Sequence, residues 1–492
     1  MPPGSVHRPI LSRLLRYPTR VVAHDDRRSY KGAELIAGAA HIARLVKRTT
    51  NAPRVGLMLP TSGAFPIAAL GCWWAGRSIV PLNYLLTPDE LDYIVRDAEI
   101  DLVITAGVLL DATGHEPNAK TLVRMEDLNF KRVPFVGLPA DADGEDDAAV
   151  VYTSGTSGRP KGVRQSHRAI AANARQGADR FEFGPGDVML GVLPQFHSYG
   201  LTHLTVTPLR AGVPVVYTAR FVPRRLVELM REQRATVFVG TPSMYAALCS
   251  VKKAGPEDLA TMRLPVSGSE PLSRAVNERF REKFGRHLVE GYGMTEMAPA
   301  THCQRQDDVS FGHVGPPLPD VVQRVVDPAT GEEVGPGEDG EIRLDGPNKM
   351  TGYLGLDEAT AAAFDEKGFY RTGDQGRINE DGTLSITGRI KELIIVAGEN
   401  VAPREIEEAV EAHPAVKASG AVGKADDLRG EVPVLFVEFE EGATASEQEL
   451  IDFLRERLAA FKVPKHVFVS EQLPRSPIGK VLRRALKDRL AS

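Results

Sequence analysis

The stretch 150–163, which reads VVYTSGTSGRPKGV, constrains the fold of this 492-residue chain more than any other. Its first three residues are β-branched or aromatic and predict the end of a buried strand. A loop rich in hydroxyl side chains and glycines follows and ends in Lys161. The glycines let a ligand approach the backbone, whose N–H groups can then face it. Many donors, one cation and little bulk suit a polyphosphate, so we predict a phosphate-binding loop after a strand rather than a surface turn.

This loop differs from the common P-loop. The P-loop places Gly-Lys before Ser or Thr at the start of a helix, whereas Lys161 stands between Pro160 and Gly162. A later Gly-Lys pair, at 479–480, is followed by Val481. The sequence therefore predicts that phosphates are held in another way.

Composition excludes several classes of protein. The length predicts two or more domains, and 42% hydrophobic with 25% charged residues is typical of globular chains. A net charge of −5 gives no sign of a nucleic-acid partner. The most apolar run, 64–75, is shorter than the roughly 20 residues that span a bilayer, so no membrane span is expected. Three cysteines far apart and no signal-peptide pattern favour a cytoplasmic protein.

Hydrophobic periodicity divides the chain into three regions. In the first, predicted strands at 54–59, 78–82 and 101–105 alternate with predicted helices at 28–47, 64–75 and 87–98, which indicates a parallel sheet in a layered α/β fold. Glycine, proline and alternating apolar residues predict an antiparallel β subdomain between 312 and 388. A smaller α+β unit is predicted after residue 391.

The loop 153–162 resembles the phosphate loop of the AMP-forming adenylating enzymes, which include acyl-CoA synthetases, stand-alone adenylation domains and luciferases. Ser157 departs from the usual threonine and keeps the hydroxyl. Four further motifs of the family follow in order, at 291–296 (GYGMTE), 370–374 (YRTGD), 388–389 (GR) and 477–480 (PIGK). The resemblance implies an α/β fold with a large N-terminal domain of layered α/β subdomains plus a β-rich subdomain, at 1–390. It also implies a small mobile C-terminal α+β domain, at 391–492, that carries the catalytic lysine.

The resemblance implies an ATP site with four defined roles. Tyr292, an aromatic residue between glycines, would lie under the adenine, and such stacking contributes roughly 1–3 kcal/mol per base. Glu296 supplies a hard oxygen ligand for Mg²⁺. Asp374 would accept from both ribose hydroxyls, as acidic residues do in dinucleotide folds, and Arg389 would reach the ribose or a phosphate. Further contacts to ATP or AMP are expected from Thr153, Ser154, Gly155, Thr156, Ser157, Gly158, Lys161, Gly268, Ser269, Glu270, Gly291, Gly293, Met294, Thr295 and Lys480.

Lys480 resembles the catalytic lysine of the family's small domain. Attack of a carboxylate on the α-phosphate builds negative charge, which a mobile ammonium can meet. Lys391 stands where the family places its hinge, and Gly398 matches the glycine beside the channel for the CoA thiol, where a missing side chain leaves room. The predicted catalytic set is completed by Thr295, Glu296, Lys161 and His197.

These motifs predict an AMP-forming acyl-CoA synthetase that uses ATP, Mg²⁺ and CoA. The chain offers no obvious cation for a dicarboxylate, since Ala246 and Ala247 stand where an arginine could have been. We therefore expect a monocarboxylate, aliphatic or aromatic. The predicted acyl pocket consists of His197, Tyr199, Ser243, Met244, Gly268 and Met297.

Three alternatives share parts of this pattern. An adenylating enzyme that loads a carrier-protein thiol would share every ATP motif. A fatty acyl-AMP ligase would carry an inserted segment in the large domain, which this sequence lacks. A non-catalytic nucleotide-binding scaffold would not need Thr295, Glu296, Asp374, Arg389 and Lys480 together. The oligomeric state stays open, with a homodimer as one candidate.

Overall fold

The computed structural model describes residues 4–130, 137–153, 159–307, 309–396, 399–426, 429–476 and 479–491. The strands, numbered in chain order, are β1 Val21–His24, β2 Ser29–Lys31, β3 Arg54–Met58, β4 Ser78–Pro81, β5 Leu102–Thr105, β6 Thr121–Arg124, β7 Asp147–Thr153, β8 Lys161–Ser166, β9 Met189–Gly191, β10 Val215–Tyr217, β11 Val237–Gly240, β12 Leu264–Ser267, β13 Val289–Gly293, β14 Ala300–Cys303, β15 Val322–Val326, β16 Gly340–Asp345, β17 Gly352–Tyr353, β18 Tyr370–Ile378, β19 Leu384–Arg389, β20 Ile394–Val396, β21 Glu399–Val401, β22 Val416–Asp426, β23 Gly430–Phe439 and β24 His466–Val469.

The helices follow the same numbering. They are α1 His7–Arg16, α2 Gly32–Thr49, α3 Ala64–Trp74, α4 Pro88–Asp97, α5 Gly107–Thr113, α6 His167–Phe181, α7 Thr207–Ala211, α8 Pro223–Glu232, α9 Pro242–Cys249, α10 Arg274–Phe284, α11 Asp357–Ala363, α12 Pro403–Glu411, α13 Glu447–Arg455 and α14 Arg483–Ala491. A π-helix, Gly200–Val206, leads directly into α7.

Two sheets with parallel centres form the body of the large domain. One has the order β17-β8-β7-β4-β3-β5-β6, and the other has the order β14-β13-β12-β11-β9-β10-β1-β2. Strands β3 to β7 run parallel to their neighbours, as the alternation of strands and helices predicts. Strand β8 returns antiparallel to β7. One continuous buried core joins the two sheets and includes Trp73 of helix α3, which is buried as predicted.

Local sequence signals explain several helix boundaries. Thr87 caps α4, and the carboxylate of Glu90 accepts from its backbone N–H at 2.9 Å, which forms a capping box. Ser166 caps α6 by accepting from the N–H of Ala169 at 3.1 Å. These caps satisfy N–H groups that the first turn of a helix leaves unpaired.

Two further units complete the chain. The antiparallel sheet β15-β16-β18-β19 forms the β-rich subdomain that the sequence predicts. The C-terminal domain is a separate sheet of β20 to β24 with its own core, which includes Ile406 of α12 and Leu450 of α13. The predicted fold class is confirmed. None of the described helices is both long and apolar enough to cross a bilayer.

Candidate active site

A cavity of about 700 Å³ lies where three parts of the molecule meet. The large domain contributes residues at the carboxyl ends of β7, β12 and β13, the place where open α/β sheets bind ligands. The β-rich subdomain contributes Asp374 and Arg389, and the C-terminal domain contributes Lys480. Other predicted nucleotide residues on its wall are Thr153, Lys161, Gly268, Ser269, Gly291, Tyr292, Gly293, Met294, Thr295 and Glu296.

Asp374 links the predicted adenine and ribose residues. It is 4% exposed and accepts from the Tyr292 hydroxyl at 2.5 Å and from Nε of Arg389 at 2.8 Å. The pairing of β18 with β19 sets Asp374 opposite Arg389. The carboxylate raises the pKa of Arg389, and burial together with Asp374 raises the pKa of Tyr292. Each carboxylate oxygen retains a further lone pair, so Asp374 can still accept from ribose hydroxyls.

A second group surrounds Glu296. Its Oε1 accepts from the Tyr353 hydroxyl at 3.0 Å, and Nζ of Lys161 lies 5.1 Å from the centre of the Tyr353 ring. Burial and the nearby Glu296 raise the pKa of Tyr353, which keeps its hydroxyl a donor. The carbonyl oxygen of Thr295 accepts from Nε2 of Gln165 at 2.7 Å and fixes the backbone at this point.

The described residues contain no group of three or more acidic, histidine or cysteine side chains that could hold a metal ion. A Mg²⁺ ion here would have Glu296 as its protein carboxylate and phosphate oxygens and water as its other ligands. Mg²⁺ is commonly bound in this way, because it retains water and shares phosphates. The donor set therefore fits Mg²⁺ bound together with a nucleotide.

The loop that carries Lys480 packs against the large domain. Gly479 has φ +95°, and a Cβ there would lie 2.4 Å from Oγ of Ser243 and 3.3 Å from Oε1 of Glu270. Glu270 itself accepts from the backbone N–H of Ser243 at 3.3 Å. Burial lowers the pKa of Lys480, and the positive charge of Arg389 lowers it further. A desolvated amine at this place interacts strongly with negative charge that develops in the cavity.

Only some of the predicted acyl-pocket residues line this cavity. His197, Tyr199 and Gly268 line the cavity, and burial lowers the pKa of His197 to about 4, so its imidazole is neutral. Ser243 contacts Glu270 instead of this cavity. Met244 lines a second cavity of about 1050 Å³, and Met297 is fully buried in a core cluster.

The remaining predicted residues are Lys391, Glu270 and a set that lies outside the described residues. Lys391 is exposed in a short 3-10 turn, Ile390–Glu392, between β19 and β20, and it also borders the cavity. Glu270 is not among the residues that line the cavity and lies beside Gly479. Six predicted residues lie outside the described residues, namely Ser154, Gly155, Thr156, Ser157, Gly158 and Gly398.

Part of the cavity lining consists of residues that no motif indicated. They come from α6, the π-helix, β12, β14 and a loop, and include Gly177, Phe181, His203, Val266, Cys303 and Leu318. The only sequence signal was a helix pattern after residue 167, and that pattern is equally typical of ordinary core packing.

Comparison with known proteins identifies the family. The chain matches the family model "AMP-binding enzyme" over residues 12–354 and the model "AMP-binding enzyme C-terminal domain" over residues 405–480. It is 35% identical to 4-coumarate–CoA ligase 3 of Oryza sativa subsp. japonica over 486 residues, which cover 94% of this chain and 88% of that protein. It is 32% identical to the long-chain-fatty-acid–CoA ligase of Bacillus subtilis (strain 168) over 483 residues, which cover 88% of this chain and 85% of that protein.

A solved structure shows the same fold over the whole chain. The crystal structure of ATP-bound MatB from Rhodopseudomonas palustris matches with a TM-score of 0.89 and 32% identity, and 99% of each chain is covered. The chain therefore belongs to the AMP-binding enzyme family, and it is an AMP-forming carboxylic acid–CoA ligase.

Proposed function

We propose that this ligase activates a monocarboxylic acid in two half-reactions that use two arrangements of its domains, and that Glu296 binds the Mg²⁺ of the first. The observation that carries the proposal is the position of Lys480. Its amine, from the C-terminal domain, lines the same cavity as Tyr292 and Asp374 of the predicted nucleotide site.

In the first half-reaction, an oxygen of the substrate carboxylate attacks the α-phosphorus of ATP. A new O–P bond forms, the bond from that phosphorus to the bridging oxygen breaks, and pyrophosphate leaves with the electron pair. Lys480 and Arg389 would face the negative charge of this transition state, since both border the cavity. Mg²⁺ held by Glu296 would supply further charge neutralisation at the phosphate oxygens.

In the second half-reaction, the C-terminal domain would turn about Lys391, withdraw Lys480 and bring the Gly398 loop to the acyl-adenylate. The CoA sulfur attacks the acyl carbon, AMP leaves with the electron pair, and the thiol proton passes to solvent. The domain boundary would accordingly lie between residues 390 and 391.

No protein nucleophile is needed, because the acyl-adenylate is already an activated acyl donor. The chain's thiols fit this mechanism, since Cys72, Cys249 and Cys303 are all buried. Burial raises the pKa of Cys249 to about 11 and that of Cys303 to about 12, so both are protonated thiols. CoA ligases among the relatives support CoA as the acceptor over a carrier protein.

Lys480→Ala tests whether Lys480 acts in the first half-reaction and is not needed in the second. We expect acid-dependent ATP–pyrophosphate exchange to fall roughly 10²- to 10³-fold, the usual loss for one preorganised donor. Thioester formation from supplied acyl-AMP should change little. Lys487→Ala is the matched control, because Lys487 is exposed on α14 of the same domain. An equal loss in both half-reactions would contradict the proposal.

We also propose a cytoplasmic location, which the three free, buried cysteines support. A homodimer is a hypothesis for the assembly, and light scattering of the purified protein would test it.

A further inference from the structure

Two arginines and two carboxylates surround the amine of Lys480. Glu392, Asp374 and Arg389 line the same cavity as Lys480, and Arg483 stands three residues further along the chain, at the start of α14. Burial lowers the pKa of Lys480 most, Arg389 and Arg483 lower it further, and Glu392 and Asp374 raise it. All four charges therefore act on the ammonium.

Each of these two carboxylates is bound by an arginine. Asp374 accepts from Nε of Arg389 at 2.8 Å. Glu392 accepts from Nη1 of Arg483. Lys480 itself forms no ion pair within the part of the chain that the structure describes. A lysine that shares a cavity with two carboxylates and pairs with neither is available to a negatively charged ligand.

The guanidinium of Arg483 is fixed by the C-terminal domain. Its Nε and Nη2 donate to the two carboxylate oxygens of Glu407 on α12, at 3.1 and 2.6 Å. Glu407 also accepts from the backbone N–H of Ala421 on β22 at 2.7 Å. This two-point contact leaves Nη1 of Arg483 for Glu392. The side chains of Arg483 and Glu392 are 20% and 31% exposed, so water and salt screen their charges only in part.

A free Glu392 would compete with a ligand for Lys480. It ends the short turn Ile390–Glu392 and follows the proposed domain boundary, so it would move together with the C-terminal domain and Lys480. In a cavity with little water, a carboxylate and an ammonium attract each other strongly. A pair between Glu392 and Lys480 would neutralise the charge that the α-phosphate needs.

We propose that Arg483 is a positioning residue for the first half-reaction, because it binds Glu392 and so prevents this carboxylate from neutralising Lys480. The inference rests on the proposed function, in which the ammonium of Lys480 faces the negative charge that develops at the α-phosphate. Arg483 acts without touching the substrate, and its effect on catalysis depends on Glu392.

Removal of both partners separates this role from a structural one. Arg483→Gln frees Glu392 and leaves an amide that can donate to Glu407. Glu392→Gln removes the competing charge, and the double variant removes both charges. Arg483→Lys keeps a positive charge for Glu392. Arg484→Gln, at an exposed arginine of the same helix, is the matched control.

Both half-reactions are measured with the best substrate from a panel of aromatic and aliphatic monocarboxylic acids. In Arg483→Gln, kcat for ATP–pyrophosphate exchange should fall roughly tenfold with KM for ATP within about twofold, because the ammonium is present but paired. Thioester formation from supplied acyl-AMP should change little. Glu392→Gln and Arg483→Lys should stay within about threefold of the wild type, and the double variant should recover to the same level although it has lost both side chains.

The pH profile of exchange is a second readout, which a structural role would not move. Lys480 must be protonated to act, so exchange is lost as the pH rises through its pKa. Since Arg483 lowers this pKa and Glu392 raises it, the loss should occur at higher pH in Arg483→Gln and return toward the wild-type position in the double variant. The other charged groups that act on Lys480 are the same in every variant, namely Arg389, Asp374 and Glu270.

A double variant no more active than Arg483→Gln would overturn the inference, since a second loss does not restore a structural contact. Urea unfolding checks that each variant folds. If Arg483→Gln does not fold, Arg483→Lys decides, because a folded Lys variant with the loss expected for Arg483→Gln would equally overturn the inference. These results leave the proposed function intact, which fails instead if Lys480→Ala keeps full exchange or if no acid supports exchange.

Discussion

Glu290 is a carboxylate in the interior of the large domain, on strand β13 two residues before Tyr292, the predicted adenine residue. It is 5% exposed, and its Oε1 accepts from the backbone N–H of Leu272 at 3.3 Å. Burial raises its pKa from 4.5 to about 7, although the positive charge of Arg404 on α12 opposes the shift. The folded protein therefore binds a proton at Glu290 more tightly than the unfolded chain does.

This shift predicts how stability depends on pH. Because the pKa is raised on folding, the contribution to stability is fully present below pH 4.5, is lost as the pH rises to about 7, and is constant above that. The total is about 3 kcal/mol, from roughly 1.4 kcal/mol per pKa unit. Glu290→Gln should match the wild type near pH 4 and be more stable by up to about 3 kcal/mol at pH 8.

Urea unfolding at the two pH values measures this difference. Glu278→Gln, at an exposed glutamate of α10, is the control and should show no such pH dependence. A Glu290→Gln effect that is the same at both pH values would show that the carboxyl does not titrate in this range.

At the scale of single elements, helix α6 connects strand β8 to the wall of the cavity. It begins directly after β8, its first turn is capped by Ser166, and its last turns carry Gly177 and Phe181. The cap is fully buried, so water cannot replace the lost hydrogen bond.

Ser166→Ala should therefore lower the free energy of unfolding by about 1–2 kcal/mol, toward the upper part of the range for N-caps. The midpoint of urea denaturation at constant m-value measures it. Ser250→Ala removes an exposed hydroxyl at the end of α9 and should change stability by less than about 0.5 kcal/mol. Equal effects of the two changes would mean that the cap contributes nothing beyond a surface contact.

Local sequence patterns predicted the regular elements because periodicity and caps are local properties. Helix α3 and strand β5, for example, lie where they were expected. The return strand β8 and the two-residue strand β17 were missed, since their pairing joins Val163 to Tyr353 across the sequence. The π-helix was also missed, because its sequence has no period that distinguishes it from a loop or an α-helix.

The residues of the candidate site were likewise predicted only in part. The motifs predicted nucleotide residues that the structure brings to one cavity, because residues such as Asp374, Arg389 and Lys480 stand in recognisable local patterns. They did not indicate the other lining residues, such as Gly177 and Val266, whose local sequence is typical of an ordinary core. Met297 follows the GYGMTE motif but turns into the core with Val163 and Ile342, and which face it takes depends on packing that no local pattern records.

At the scale of the whole molecule, the described residues form few polar contacts between the C-terminal domain and the large domain. Arg279 of α10 pairs with Glu440 after β23 at 2.7 Å, and Arg404 of α12 donates to the carbonyl oxygen of Ile386 at 3.1 Å. The Arg279–Glu440 pair is partly exposed, and such pairs contribute about 0–1 kcal/mol. Weak contacts of this kind are compatible with the domain movement proposed above.

Locking this arrangement should therefore separate the two half-reactions. In Arg279→Cys/Glu440→Cys, a thiol-specific cross-linker with a cleavable disulfide spacer would join the domains at the place where the ion pair now lies. Cys72, Cys249 and Cys303 are buried, so the reagent should react at the new sites. Cross-linking should leave acid-dependent ATP–pyrophosphate exchange within about twofold, while thioester formation from supplied acyl-AMP falls roughly tenfold or more, because that step needs the domain to move. A reductant that cleaves the spacer should restore it, and each single-cysteine variant treated in the same way should keep both activities. Full thioester formation in the cross-linked protein would show that both half-reactions proceed in the arrangement described here.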